Sequence, residues 1–240
     1  MCTLTFIPNE EGYRLGMNRD EKISRGHASP PAVVENGAGR ALYPRDVEGG
    51  TWIAASDRGI AFALLNWNDA EPSQTKTRSR GSVIPALIAS SSTRNATSTL
   101  ERLELRGILP FRLIGFFPIE NQILEWRWNQ DPLEHDIFAW HQRQWCSSSL
   151  SDAKAASRRG LAYARVQEES DKGSVQWLRR LHASHDEENR PLSTCVHRKD
   201  VETLSYTEFI CTASDIRSNY FAGNPCSPTS AMKSLSIVRL

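Results

Sequence analysis

Apolar and polar residues alternate from the start of the chain: Cys2, Leu4 and Phe6 fall on one side of an extended strand, Thr3 and Thr5 on the other. Residues 8–12, Pro-Asn-Glu-Glu-Gly, supply a turn, and residues 13–17 read as a second strand running back antiparallel. The same signature recurs three times. Residues 49–56 and 60–66 flank Asp57-Arg58-Gly59, residues 111–117 and 122–128 flank Pro118-Ile119-Glu120-Asn121, and residues 194–198 and 201–211 join through Lys199-Asp200. Between these hairpins the apolar spacing becomes helical, over 79–88, 97–105, 151–167 and 174–182, with Ser151 or Asp152 as a cap. Residues 24–46, broken by Pro30-Pro31 and Gly37-Ala38-Gly39, have no period and read as a loop, and the tail from Ser214 reads as irregular. The pattern predicts an α+β chain built on antiparallel hairpins.

A chain of 240 residues is long enough for one large domain, 1–240. With 24% charged residues and a formal net charge of +1, no global electrostatic argument favours nucleic acid or an anionic membrane, which leaves a small molecule as the expected partner. The aromatic residues Phe111, Phe116, Phe117, Trp126 and Trp128 have too few interleaved basic residues for a nucleic-acid track and read as core. No apolar run approaches the roughly 20 residues of a membrane helix, and the first residues lack a signal peptide's basic start and apolar core, so a cytoplasmic protein is expected. The five cysteines are scattered without a CxxC pair. Among the histidines, His182 and His185 come nearest to a metal-binding spacing but lack a third ligand nearby; neither a phosphate-binding glycine loop nor a GxSxG elbow is present. The expectation is therefore no metal and no cofactor.

Candidate chemistry concentrates at the amino terminus. A cysteine directly behind Met1 becomes the first residue once that methionine is removed, placing a thiol and a free α-amine on one residue. With reference pKa values of roughly 7.7–8.0 for the amine and about 8.5 for the thiol, Cys2 can then serve as nucleophile and base together. The returning strand delivers Asn18, Arg19, Asp20 and Glu21 toward the same end.

Asn18-Arg19-Asp20-Glu21 behind Met1-Cys2-Thr3 resembles the signature of the NRDE family, also called the transport and Golgi organisation protein 2 family. That family is similar to N-terminal-nucleophile hydrolases of the penicillin V acylase and bile salt hydrolase type. The resemblance implies a four-layered αββα sandwich, with hairpins 2–17, 52–66, 111–128 and 194–211 in its sheets and helices within 82–106 and 152–182 outside. It implies Cys2, Asp20 and Asn66 as catalytic residues, Asn66 matching an asparagine that helps bind the oxyanion in acylase relatives. Asn18 and Arg19 follow as substrate contacts, with Arg80 of a recurrent Ser79-Arg80-Gly81 segment meeting a carboxylate or phosphate. Ser148 stands where those relatives place a later asparagine, and Met17 where they place an arginine. These departures leave two expectations open: a cysteine amidohydrolase cleaving a C–N bond of an acylated small molecule, or a non-catalytic carrier of lipid, acyl-CoA or haem. Fold analogy does not choose between them.

Overall fold

In a computed structural model, residues 2–36, 39–73, 75–130, 132–186, 190–227 and 230–240 are described; Met1 and Gly37-Ala38 of the glycine-rich break lie outside them. The first hairpin is β1 (Cys2–Asn9) with β2 (Gly12–Lys22). Next come β3 (Ser29–Glu35), β4 (Arg40–Arg45), β5 (Ile53–Ser56) and β6 (Ala61–Asn66), then α1 (Val83–Leu87) and α2 (Thr93–Arg102). Strands β7 (Phe111–Phe117), β8 (Gln122–Trp128), β9 (Leu133–Ala139) and β10 (Arg143–Ser147) precede α3 (Asp152–Arg165) and α4 (Val175–Ala183). Strands β11 (Val201–Cys211), β12 (Asp215–Ala222) and β13 (Lys233–Val238) complete the order. Ser92, Ser151 and Ser174 cap α2, α3 and α4, each side chain accepting from a backbone N–H three residues on.

The strands form two antiparallel sheets, ordered β10-β1-β2-β11-β12-β13 and β3-β4-β5-β6-β7-β8-β9. Between them lies the main core, where Leu4, Phe6, Leu15 and Met17 of the first sheet meet Ile53, Ala63, Leu65, Ile114 and Phe116 of the second. On the outer face of the second sheet, Phe62, Leu64, Leu113 and Trp126 pack against Val83, Ile84 and Leu87 of α1 and Leu100 of α2. A smaller cluster of Ile7 with Trp177, Leu178 and Leu181 seats α4 on the first sheet. The result is the expected αββα sandwich. Among the described residues no helix is long and apolar enough to cross a membrane.

Four expectations are corrected. Residues 24–46 contain β3 and β4 rather than a loop; β3 is the edge of its sheet and mostly uncovered, so it needs no apolar alternation and tolerates Pro30-Pro31. The tail from Ser214 contributes β12 and β13, whose buried positions include Ser218 and Asn219 and so show little hydrophobic pattern. Residues 194–198 form no strand, only an isolated His197–Glu202 bridge, because β11 takes its ladder partners from β2 and β12. Finally, β2 runs on to Lys22, so Asn18 to Glu21 lie within a strand rather than beyond it.

The outer face of the first sheet is polar where α3 and α4 cover it. Asn18 is fully buried: its Nδ2 donates to the carbonyls of His182 (2.9 Å) and Thr194 (2.8 Å), and its Oδ1 lies 3.1 Å from His182 Nδ1. His182 Nε2 meets Thr5 Oγ1 at 3.0 Å. Burial, with the positive charge of Arg159 adding to it, pushes the His182 imidazole down from about 6.5 to about 3.

The folded protein therefore holds His182 neutral at pH values where the unfolded chain protonates it, so this group makes stability fall as pH drops from about 6.5 toward about 3 and contributes no slope above. Replacing His182 with Gln should flatten the plot of unfolding free energy against pH by up to about 1.4 kcal/mol per pH unit in that window, measured by chemical denaturation. Parallel plots for the two proteins would refute this linkage.

Candidate active site

Strand pleating decides which side chains meet at the start of β1. In the ladder Cys2 lies directly opposite Arg19 on β2 and Ser147 on β10, so these three share one face, and Glu21, two residues past Arg19, shares it too. Thr3, Asn18 and Asp20 take the other face. Cys2 is buried, and its backbone N–H donates to Ser147 Oγ at 3.0 Å.

The Cys2 side opens on a recess of about 80 Å³ lined by Cys2, Arg19, Asp20, Glu21, Arg25, Asp46, Thr51, Trp52, Leu64, Asn66, Lys76, Ser79, Arg80 and Gly81. Larger hollows exist, one of about 460 Å³ beside α2 and one of about 350 Å³ beside α3, but neither includes the thiol. Two glycines shape the recess wall. A Cβ on Gly50 would lie 2.9 Å from the Gly81 Cα, and one on Gly81 would lie 2.8 Å from the Gly50 Cα, so only this pair lets the 79–81 turn lie flat against the entry to β5. The Thr51 N–H bonds the Gly81 carbonyl at 3.1 Å across that contact, while Arg80 Nη1 donates to the Pro110 carbonyl at 3.0 Å.

Charge in the recess is only partly compensated. Arg25 bonds Asp46 (3.1 Å) and Glu48 (3.2 Å) and lies 3.5 Å from Glu21. Arg19 stacks over the Trp52 ring at 4.8 Å and approaches Glu21 only at 4.0 Å. Arg19 Nη1 and Trp52 Nε1 are both buried donors without a hydrogen-bond partner among the described residues. Burial pushes the Cys2 thiol above its ordinary value, with Asp20 and Glu21 adding to the rise while the amino-terminal charge and Arg19 oppose it. Burial also disfavours an ionised Glu21, but the amino-terminal charge, the Lys22 N–H, Arg19 and Arg25 outweigh it and hold that carboxyl below its usual range. Burial lowers Arg80.

Of the residues nominated from the sequence, Cys2, Arg19, Asp20, Asn66 and Arg80 line the recess. Asp20 sends its carboxylate to the opposite side of the sheet, where Oδ1 accepts from Thr203 Oγ1 (2.7 Å) and Oδ2 from Arg159 Nη2 (3.2 Å). The other arm of Arg159 donates to the Cys2 carbonyl (3.1 Å) and Thr3 Oγ1 (2.8 Å), so Asp20 reaches Cys2 through that guanidinium. Asn18 and Ser148 are not brought to the recess. Ser148 is buried beside α3, its N–H donating to Asp152 and its Oγ accepting from Arg198 at 2.9 Å. The adjacent Ser147 is the one that touches Cys2. Sequence reasoning missed Ser147, Trp52 and Arg159, and it named Glu21 without a role; strict alternation along an extended β2 puts Glu21 on the Cys2 face, whereas nothing local marks Arg159.

The neighbours of the thiol make opposite demands on it. Replacing Arg19 with Gln removes positive charge and should slow alkylation of Cys2 by iodoacetamide at fixed pH, whereas replacing Glu21 with Gln removes negative charge and should speed it. The rates would be followed on the Cys2 peptide by mass spectrometry. Changes in the same direction for both variants would show that these charges do not set thiol reactivity.

The arrangement can be set beside known proteins. Penicillin V acylase from Agrobacterium tumefaciens superposes with a TM-score of 0.53 at 10% identity, covering 99% of this chain and 86% of that one. A mutant of the conjugated bile acid hydrolase from Clostridium perfringens gives 0.56 at 10% identity, covering 99% and 92%, and a variant of the same hydrolase gives 0.55 at 11%, covering 98% and 92%. At such identities the likeness is one of fold, that of the N-terminal-nucleophile hydrolases. No curated protein matches by sequence. The family profile described as Transport and Golgi organisation 2 matches residues 1–131, more than half of the chain, including every residue nominated from the sequence except Ser148. The chain therefore belongs to the Transport and Golgi organisation 2 family, on a fold of the N-terminal-nucleophile hydrolase kind.

Proposed function

We propose that this chain is an N-terminal cysteine amidohydrolase that cleaves the C–N bond of an acylated small molecule. The observation that carries the reading is the convergence of a position-two thiol with two buried N–H donors that have no partner among the described residues, Arg19 Nη1 and Trp52 Nε1, at one recess. Leaving a buried donor unpaired costs about 1–3 kcal/mol, a cost that an incoming carbonyl or carboxylate oxygen offsets.

In the proposed reaction, removal of Met1 leaves the α-amine of Cys2 beside Ser147 Oγ, which lies 3.0 Å from that nitrogen. The amine takes the thiol proton, and sulfur attacks the acyl carbon, forming a C–S bond. The carbonyl electrons move to oxygen, and the Asn66 amide with a backbone N–H holds the resulting oxyanion. Collapse breaks the C–N bond, the departing amine takes the proton, and water then hydrolyses the thioester to release the acid and restore the thiol. Arg19 and Arg80 receive an anionic group of the substrate. Asp20 acts as a positioning residue, holding Arg159 against the Cys2 carbonyl.

A recess of about 80 Å³ is well below the roughly 300–1,000 Å³ of a pocket that encloses a drug-sized ligand, so it suits the reacting amide while the rest of the substrate lies outside. A second reading, a carrier of lipid, acyl-CoA or haem, is favoured by one observation: burial pushes the Cys2 thiol up, away from the thiolate a nucleophile needs.

Intact mass would establish whether Met1 is removed. The trimmed protein and its Cys2→Ala variant would then be offered N-acyl amino acids and penicillin V; turnover by the former alone is expected, with a loss of at least about 100-fold in the variant. Absence of any Cys2-dependent turnover, with haem or acyl-CoA bound equally by both proteins, would replace the hydrolase reading with the carrier.

A further inference from the structure

A second cluster of reactive side chains lies apart from the recess. Histidine and cysteine residues from three separate segments meet there: His185 just beyond α4, Cys195 and His197 ahead of β11, and Cys226 between β12 and β13. His197 Nε2 lies 3.2 Å from Cys226 Sγ and 3.6 Å from Cys195 Sγ. Ligand atoms of His185, His197 and Cys226 all fall within 4.8 Å of one another, and the two imidazole rings stand 5.7 Å apart at 76°.

These separations can be compared with what a metal requires. Around a tetrahedral Zn²⁺, with bonds of about 2.3 Å to sulfur and 2.0–2.1 Å to nitrogen, neighbouring donor atoms stand roughly 3.3–3.8 Å apart. The two sulfur-to-nitrogen distances at His197 already lie at or close to that range, the ligand atoms of His185, His197 and Cys226 already fall within 4.8 Å of one another, and Cys195, outside that group of three but in reach of His197, completes the set. Two thiolates and two imidazoles select zinc over hard cations such as Ca²⁺ or Mg²⁺, which require oxygen ligands.

We propose that His185, Cys195, His197 and Cys226 bind one structural Zn²⁺. With four protein ligands the metal has no open position, so its role is to tie segments together. Residue 194, next to one ligand, accepts a hydrogen bond from Asn18, and Arg198, next to another, donates to Ser148 Oγ. The metal thus braces the connections that hold the polar layer behind Cys2. Proximity in the chain could not reveal it, because the ligands span residues 185 to 226; the expectation of no metal rested on close spacing alone.

The test uses the full chain, untagged, expressed with added zinc and purified under reducing conditions. Elemental analysis should find about one zinc per chain, undiminished in a Cys2→Ala control and reduced several-fold in Cys226→Ser and in His185→Ala. His185 is exposed, so its replacement keeps the proposal testable if Cys226→Ser fails to fold. Cobalt substitution should give the visible absorption of a tetrahedral thiolate site, weakened in Cys226→Ser, and chelation should lower the Tm of the wild type more than that of His185→Ala. Zinc far below one per chain after equimolar loading, equal zinc in all variants, or a Cys195–Cys226 disulfide in the isolated protein would overturn the proposal.

Discussion

The Arg159–Asp20 pair is the contact on which the rest of the site depends. Both side chains are completely buried, and the guanidinium reaches from α3 through the polar face of the first sheet to the Cys2 carbonyl, Thr3 Oγ1 and the Ser147 carbonyl, as well as to Asp20. A lone buried charge is costly, and removing one partner of such a pair typically destabilises by about 3–5 kcal/mol. The helical layer and the start of β1 are therefore fixed to each other by one cation. A carboxylate facing away from the thiol is thus still tied to it: Asp20 accepts from Arg159, and Arg159 donates to the backbone carbonyl of the residue that carries the sulfur.

One sheet thus does two jobs through the two faces of β2. Arg19 and Glu21 look inward to the recess, Asn18 and Asp20 outward to α3 and α4, and a register slip of one residue would exchange the sets. The outward set is satisfied by a closed network in which Asn18 and His182 bond each other and Thr203 bonds Asp20. The inward set is left partly unsatisfied. Partners for Asn18 and Asp20 on one face, with Arg19 Nη1 left without one on the other, is the pattern expected where the first pair supports structure and the second meets a ligand.

That division also marks how far the sequence could be read. Alternation in residues 2–17 and 111–128 made those hairpins plain because their inward faces are apolar, and Ser151 announced the cap of α3. Strand β3 escaped because an exposed edge has no apolar face to show, and β12 because its buried positions include polar Ser218 and Asn219. At the site, spacing was enough to bring Cys2 and Arg19 together, since they are ladder partners. It could not bring in Arg159, which lies 157 residues beyond Cys2, nor distinguish Ser147 from Ser148, a choice made by the strand-to-helix junction at β10.

The thiol itself embodies a conflict that the amino terminus can resolve. Burial raises Cys2, and Asp20 and Glu21 raise it further, so the thiolate that the proposed reaction needs is disfavoured. A positive charge close to the sulfur opposes this, and both the amino-terminal charge and Arg19 already act in that direction. Removing Met1 puts an ionisable amine on the same residue as the thiol: in its neutral form it accepts the thiol proton, and the ammonium so formed then stands beside the thiolate as the opposing positive charge. In the proposed reaction the same buried environment would strengthen the contacts to a developing oxyanion, because charges interact more strongly where water is excluded. On that proposal, burial of Cys2 disfavours the thiolate in the unprocessed chain and favours the oxyanion in the processed one.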